Sequence, residues 1–279
     1  MTQIIALSGA KSAGKNTAAN FLHGHILKLN EVINDYSIDK NGLLSTKIQY
    51  VKDGEVLIDE GPMDLTRTDD LYVRYAAANV WPIIKLYSFA DALKEICVSL
   101  FGLTHEQAYG AYKNSATKLL WENMPGVITP DQAKTLYGKN DDPLSEEDFK
   151  DYGIIVHAAG RMTARQVLQY VGTEVFRRMH NNVWIDATMN KIKVEDPEIA
   201  VIADCRFDNE AAAVKENGGI LVKLTRNVEK DGHSSENGFT DTIFDKTIDN
   251  ANLTIGEANA ELLDFLTKRG VSQFVQKLE

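Results

Sequence analysis

Cysteine is almost missing from this chain. Its 279 residues carry two, Cys97 and Cys205, far apart and outside any metal-type spacing. Two isolated thiols cannot build a disulfide framework, so a reducing cytoplasm is the expected setting. Long apolar runs are missing as well. The longest early one, Ile4 to Leu7, is broken by Ser8 and Lys11. A secretory signal needs a longer core and a membrane span about 20 apolar residues. Basic residues are too few to dominate: 30 Lys and Arg face 40 Asp and Glu, for a net charge of -10 and a pI near 5.2. Nucleic-acid polymers and anionic membranes call for broad cationic faces, so neither is an expected partner. No histidine pair has a metal-ligand spacing, His23 and His25 being two apart, and no G-x-S-x-G nucleophile motif occurs. Trp81, Trp121 and Trp184 read as core residues, and the acidic run Glu146 to Asp151 as solvated surface.

What is present is ordinary globular material, 44% hydrophobic and 25% charged, enough for a sizeable core. Apolar strands are expected at Ile4–Leu7, Pro82–Tyr87, Glu198–Ala203, Ile220–Leu224 and, more weakly, Thr247–Ile255. Helical periodicity covers Phe89–Cys97, Thr163–Met179, Asn209–Glu216 and Ala258–Lys268. Alternating strands and helices predict an α/β fold in three layers, a mainly parallel sheet flanked by helices. The chain reads as a single domain over 1–279. Residues 31–80 look like an inserted, peripheral β-hairpin, because Lys52-Asp53-Gly54 is a hairpin turn signal. Residues 104–162 are polar and broken by Pro125, Pro130 and Pro143, as a mobile lid and acceptor-binding segment would be.

Gly9, Gly14 and Lys15 have the G-x-x-x-x-G-K spacing of a P-loop, set between an apolar strand and a helix. Glycine is needed where the backbone curls so that successive N–H groups point at phosphate oxygens. The loop Gly9 to Thr17, with Lys11, Ser12 and Ala13 at its crest, is therefore the candidate phosphate cradle. The helix behind it adds a partial positive charge. Asn16 stands where a hydroxyl residue ordinarily reaches Mg²⁺, and Thr17 follows; a metal held by Asn16 and Thr17 would be reached through water.

Five of nine arginines lie between Arg161 and Arg206. At about 100° per residue, Arg165, Gln169 and Gly172 share one stripe, beside an apolar stripe of Val167, Leu168, Val171 and Val175 expected to face the sheet. Glycine in mid-helix marks a close approach, either by a phosphate and base or by a packed helix. Asp204 ends the third strand, at the edge where open parallel sheets bind ligands, with Arg206 and Glu210 just beyond. These residues suit a phosphorylated acceptor; helix capping and a solvated face are the alternatives.

The order of L-S-G-A-K-S-A-G-K-N-T at 7–17, S-F-A-D-A-L-K at 88–94, R-Q-V-L-Q-Y-V-G-T-E at 165–174 and D-C-R-F-D-N-E at 204–210 resembles the deoxynucleoside monophosphate kinases of tailed phages. A more distant likeness extends to dephospho-CoA kinase and phosphomevalonate kinase. The resemblance implies the P-loop nucleoside monophosphate kinase fold, ATP as donor, Mg²⁺ as cofactor and a deoxynucleoside 5′-monophosphate as acceptor, in a host cytoplasm if phage-encoded. It assigns Gly9 to Thr17 to ATP, with Lys15, Arg161 and Arg165 catalytic and Arg161 on the lid. It assigns Lys94, Arg165, Gln169, Gly172, Thr173, Trp184, Asp204, Arg206 and Glu210 to the acceptor. His233 to Glu236 resembles a family loop of open role. Homodimerisation is left open, as are two other readings: a kinase of another phosphorylated metabolite and a nucleotide-binding module without catalysis.

Overall fold

The computed structural model describes residues 2–52, 55–136, 142–226, 243–271 and 274, with 50–52 described by backbone alone. The chain opens with β1 (Gln3–Ser8), α1 (Lys15–Leu29), β2 (Asp35–Ile38), β3 (Leu44–Lys52), β4 (Glu55–Pro62), α2 (Asp70–Asn79) and β5 (Ile84–Tyr87). Then come α3 (Asp91–Ser99), α4 (His105–Ala108), β6 (Ala116–Leu120), β7 (Val127–Ile128), α5 (Pro130–Ala133), α6 (Glu146–Asp151), β8 (Ile155–Val156), β9 (Arg161–Thr163) and α7 (Ala164–Gln169). A π-helix, Tyr170–Arg177, continues α7. The chain ends with α8 (Val183–Glu195), β10 (Ile199–Cys205), α9 (Asp208–Glu216), β11 (Ile220–Thr225), β12 (Lys246–Asp249) and α10 (Ile255–Lys268). Two compact units result, Met1–Phe89 with Trp184–Glu279, and Ala90–Val183. Among the described residues no helix is long and apolar enough to cross a membrane.

The first unit is built on a parallel sheet in the order β12-β11-β1-β10-β5. All five expected strands are in it, the fifth cut short: it runs Lys246–Asp249, and Ile255, expected in the strand, opens α10 instead. Its central strands are buried along nearly their whole length, as strands covered on both faces must be. Alternation sorts β1 between two cores. Ile5 and Leu7 pack with Leu22, Ile26 and Leu266, whereas Ile4 and Ala6 pack with Ile185, Ala211 and Val214. Three layers follow from that pattern. Strands are added on both sides of β1, so the connections reverse direction there and leave a crevice beyond the strands' C-terminal ends.

Residues 31–80 form more than a hairpin, and they are not peripheral. β3 and β4 pair antiparallel up to Lys52 and Glu55, with the turn itself outside the described residues, and β2 adds a third strand. Ile33, Tyr72, Ala76 and Val80 are buried in the core cluster beneath α1. Gly24 of α1 records the contact, because a Cβ there would lie 2.5 Å from the Tyr36 ring and 2.8 Å from Leu44.

The second unit has its own core, joining Cys97, Leu103, Trp121, Met162, Val167, Tyr170 and Val171. This corrects the expectation for residues 163–179: the apolar stripe faces this core and not the parallel sheet. The single helix is corrected too. Thr163 caps α7 through a box with Gln166, but from Tyr170 onward the backbone widens to π geometry, which breaks the 3.6-residue phase.

Candidate functional site

The loop after β1 is shaped by positions with left-handed backbone. Gly9 has φ +142° and Gly14 φ +100°, and Ser12, with φ 63°, is a left-handed residue that carries a side chain. A Cβ on Gly9 would run into the carbonyl oxygen of Leu224 on β11, so glycine is required for packing as well as for the turn. Gly14 caps α1, and Lys15 opens it. Lys15 is 9% exposed, and its Nζ donates to the Gly9 and Ala10 carbonyls at 2.7 and 2.6 Å. The ammonium thus lies across the mouth of its own loop. Lys11, Ser12 and Asn16 are exposed and Thr17 half-buried, while Ala13 is fully buried. Thr17 meets the turn between β2 and β3: a Cβ on Gly42 would strike its hydroxyl, and Asn20 Nδ2 donates to the Gly42 carbonyl at 2.8 Å.

Asp204 stands at the same sheet edge, since Ser8 pairs with Cys205 in register. Its carboxylate accepts from Ser88 Oγ at 2.5 Å and from the Phe89 N–H at 3.0 Å, tying the end of β10 to the end of β5. Arg206 is exposed. Glu210 is 3% exposed, and its Oε2 accepts from the N–H groups of Arg206 and Phe207 at 2.7 and 3.2 Å. It braces the turn that presents Arg206 and caps α9. Trp184 is buried at the start of α8, its carbonyl accepting from Thr188 Oγ1 at 2.9 Å. Cys205, between the two acidic positions, is buried; burial first, then Glu210, Asp204 and Asp208, push its thiol far above the usual range.

In the second unit Arg165, Gln169 and Thr173 are exposed, and Gly172 is buried. A Cβ on Gly172 would lie 2.8 Å from Leu93 of α3, so this glycine serves helix packing. The stripe is corrected accordingly: Thr173 takes the place of Gly172 on the exposed face. Arg165 Nε donates to Asn114 Oδ1 at 3.3 Å. Lys94 is half-buried on α3, paired with Asp91 at 3.2 Å and seated over the Tyr109 ring at 4.8 Å. Burial, then Asp91 and Glu95, push the Tyr109 phenol well above its usual range. Arg161 is exposed on β9.

The structure therefore brings Gly9 to Thr17 together with Asp204, Arg206 and Glu210 in the first unit. Lys94, Arg165, Gln169, Gly172 and Thr173 belong to the second. His233 to Glu236 lie outside the described residues. Among those described, no group of three or more His, Cys, Asp or Glu side chains is placed to hold a metal ion. Two residues at this edge are given no role by the sequence, although Ser88 opens the motif at 88–94. Ser88 directly follows β5 and Asn250 directly follows β12, and the sheet brings both to the site: Ser88 holds Asp204, and Asn250 Nδ2 donates to the Ala13 carbonyl at 2.8 Å.

Residues 102–257, more than half of the chain, match the family model described as deoxynucleotide monophosphate kinase. A protein of Acanthamoeba polyphaga mimivirus, provisionally named as a deoxynucleotide monophosphate kinase, is 31% identical over 163 residues, 53% of this chain and 65% of that protein. The deoxynucleoside-5′-monophosphate kinase of Escherichia phage T5 is 33% identical over 87 residues, 28% of this chain and 35% of that protein. The chain spans less than two thirds of the length of either relative.

Proposed function

The chain belongs to the deoxynucleotide monophosphate kinase family, and from that premise we propose that it transfers the γ-phosphoryl group of ATP to a deoxynucleoside 5′-monophosphate, releasing ADP and the deoxynucleoside diphosphate. One observation carries the reading. A glycine-shaped loop with a buried lysine across its mouth lies at the same sheet edge as Asp204 and Arg206.

Phosphoryl transfer asks the protein mainly for positioning and for neutralisation of charge on oxygens moving in line. In this reading the N–H groups of Gly14 and Lys15 cradle the ATP phosphates, while the Ala13 N–H closes the loop's own turn onto the Ala10 carbonyl at 3.2 Å. Lys15 exchanges the Gly9 and Ala10 carbonyls for phosphate oxygens. Arg165 and Lys94 supply cations for the acceptor phosphate, with Gln169 and Thr173 beside Arg165 on the exposed helix face. Arg161 closes on the transferring group from the 104–162 segment, which excludes water. Arg206, Asp204 and Trp184 serve the acceptor's remaining parts, and Glu210 acts through the turn it braces.

The oxygen donors around the loop fit Mg²⁺, which keeps several waters and needs few protein ligands. Thr17 and the exposed Asn16 amide are the residues that would hold it, through water. Bound there with ATP, it would neutralise charge on the phosphates.

A coupled assay of ADP release, with ATP and each of dAMP, dGMP, dCMP and dTMP, tests the proposal. The expected result is release that depends on at least one acceptor. Release that ignores the monophosphate, or that responds only to dephospho-CoA, would end it.

A further inference from the structure

A loop whose N–H groups turn inward must turn carbonyls outward, and each buried carbonyl then needs a donor. Lys15 serves Gly9 and Ala10. Ala13, fully buried at the crest, gives its carbonyl to Nδ2 of Asn250 at 2.8 Å, across 237 positions of sequence. The same Nδ2 stands 2.9 Å from where a Cβ on Gly14 would lie, so the amide also covers the left-handed residue that starts α1.

Asn250 is itself firmly held. Directly after β12, its N–H donates to the Thr225 carbonyl at 2.8 Å. The neighbouring Asp249 carboxylate accepts from Thr225 Oγ1 at 3.2 Å and from the Ala251 N–H at 3.1 Å, tying the turn to the end of β11. The Asn250 Oδ1 is buried with no hydrogen-bond partner among the described residues. The side chain is therefore oriented by what Nδ2 does, not by Oδ1.

We infer that Asn250 is a positioning residue for the phosphate cradle: it holds the 13–14 peptide with the carbonyl outward, so that the Gly14 N–H faces the ligand. The inference rests on reading the loop as the site of the ATP phosphates. Asn250→Asp keeps the shape but places an oxygen against the Ala13 carbonyl, so two acceptors oppose each other and a negative charge enters beside the polyphosphate. Asn250→Ala leaves the buried carbonyl without a donor.

The test uses the full chain and two probes, inorganic tripolyphosphate and ATP, titrated calorimetrically into wild type, Asn250→Ala and Asn250→Asp. Tripolyphosphate has no base or sugar, so it reports on the cradle alone. We expect both probes to weaken by the same factor, roughly tenfold for Asn250→Ala, the size set by one unsatisfied buried carbonyl. Asn250→Asp should weaken them further. The KM for ATP should rise in step while that for the monophosphate stays constant. Unchanged tripolyphosphate affinity overturns the inference. If ATP alone weakens, Asn250 serves the nucleoside part of the donor; if only the melting temperature falls, it serves stability. Wild-type protein that binds neither probe overturns the P-loop reading itself, a distinguishable result.

Discussion

At the scale of single residues, the chemistry of the cradle depends on a cation that the fold partly removes from water. Lys15 is almost buried and held by two carbonyls, so its charge is ready and its position limited. Lys15→Ala should reduce turnover by at least about 100-fold while the circular dichroism spectrum stays that of the folded protein. Near-normal turnover in the folded variant would remove the loop from the mechanism. Arg165 offers a second test. Its guanidinium is exposed and lightly held by Asn114, free to bind a phosphate with two parallel hydrogen bonds that an ammonium cannot reproduce. Arg165→Lys should therefore raise the KM for the monophosphate far more than that for ATP; equal effects on both would show the stripe to be misassigned. Glu210 teaches the opposite lesson. Its residue type and place suit base reading, yet its carboxylate is occupied by two backbone N–H groups.

At the scale of elements, the segment 31–80 changes meaning once its packing is seen. A hairpin signal in the sequence says that two strands pair; it is silent on what their faces cover. Here β2 and β3 press on α1 so closely that Gly24 has no room for a methyl group. Gly24→Ala should destabilise the protein by about 1–3 kcal/mol, as overpacking does, measured by urea denaturation. Deleting residues 35–78 should yield insoluble or aggregated protein, because Leu44, Tyr72 and Ala76 would leave the apolar face of α1 uncovered. Recovery of a soluble, cooperatively melting truncation would show that α1 does not need this cover. The π-helix is the other element whose role is decided by packing. Along it Thr173 is exposed while Gly172 meets Leu93.

For the molecule as a whole, global stability should depend on pH through a buried histidine. His23 is 1% exposed in the core of α1, donating from Nδ1 to the Ala19 carbonyl at 2.8 Å. Burial pushes its pKa down from 6.5 to about 4, with the Ala19 carbonyl acting weakly in the other direction. The unfolded chain therefore binds a proton that the folded chain refuses. Stability is fully present above pH 6.5 and falls as the pH drops toward 4, by about 1.4 kcal/mol per unit at the steepest. His25, also shifted down by burial and by Lys28, adds to the same slope. Urea unfolding at pH 7.5, 6.0 and 5.0 measures it. His23→Gln should flatten the dependence, whatever its effect on absolute stability; an unchanged slope would assign the acid sensitivity to other groups.

The amino-acid sequence by itself determined the strands of the parallel sheet, the P-loop and the sheet edge at which it lies. Each of these is a local matter: apolar runs such as Ile4 to Leu7 have one stable use, and Gly9, Gly14 and Lys15 are spaced along one stretch of chain. Only the tertiary structure decided which core the Val167 stripe would enter, whether Gly172 faced a ligand or Leu93, and what Glu210 would bind. It alone joined Asn250 to Ala13 and Ser88 to Asp204. These outcomes turn on contacts between segments far apart in sequence. A hydrogen bond across 237 positions leaves no periodicity or spacing to read, because its geometry is set by the order of the strands in the sheet.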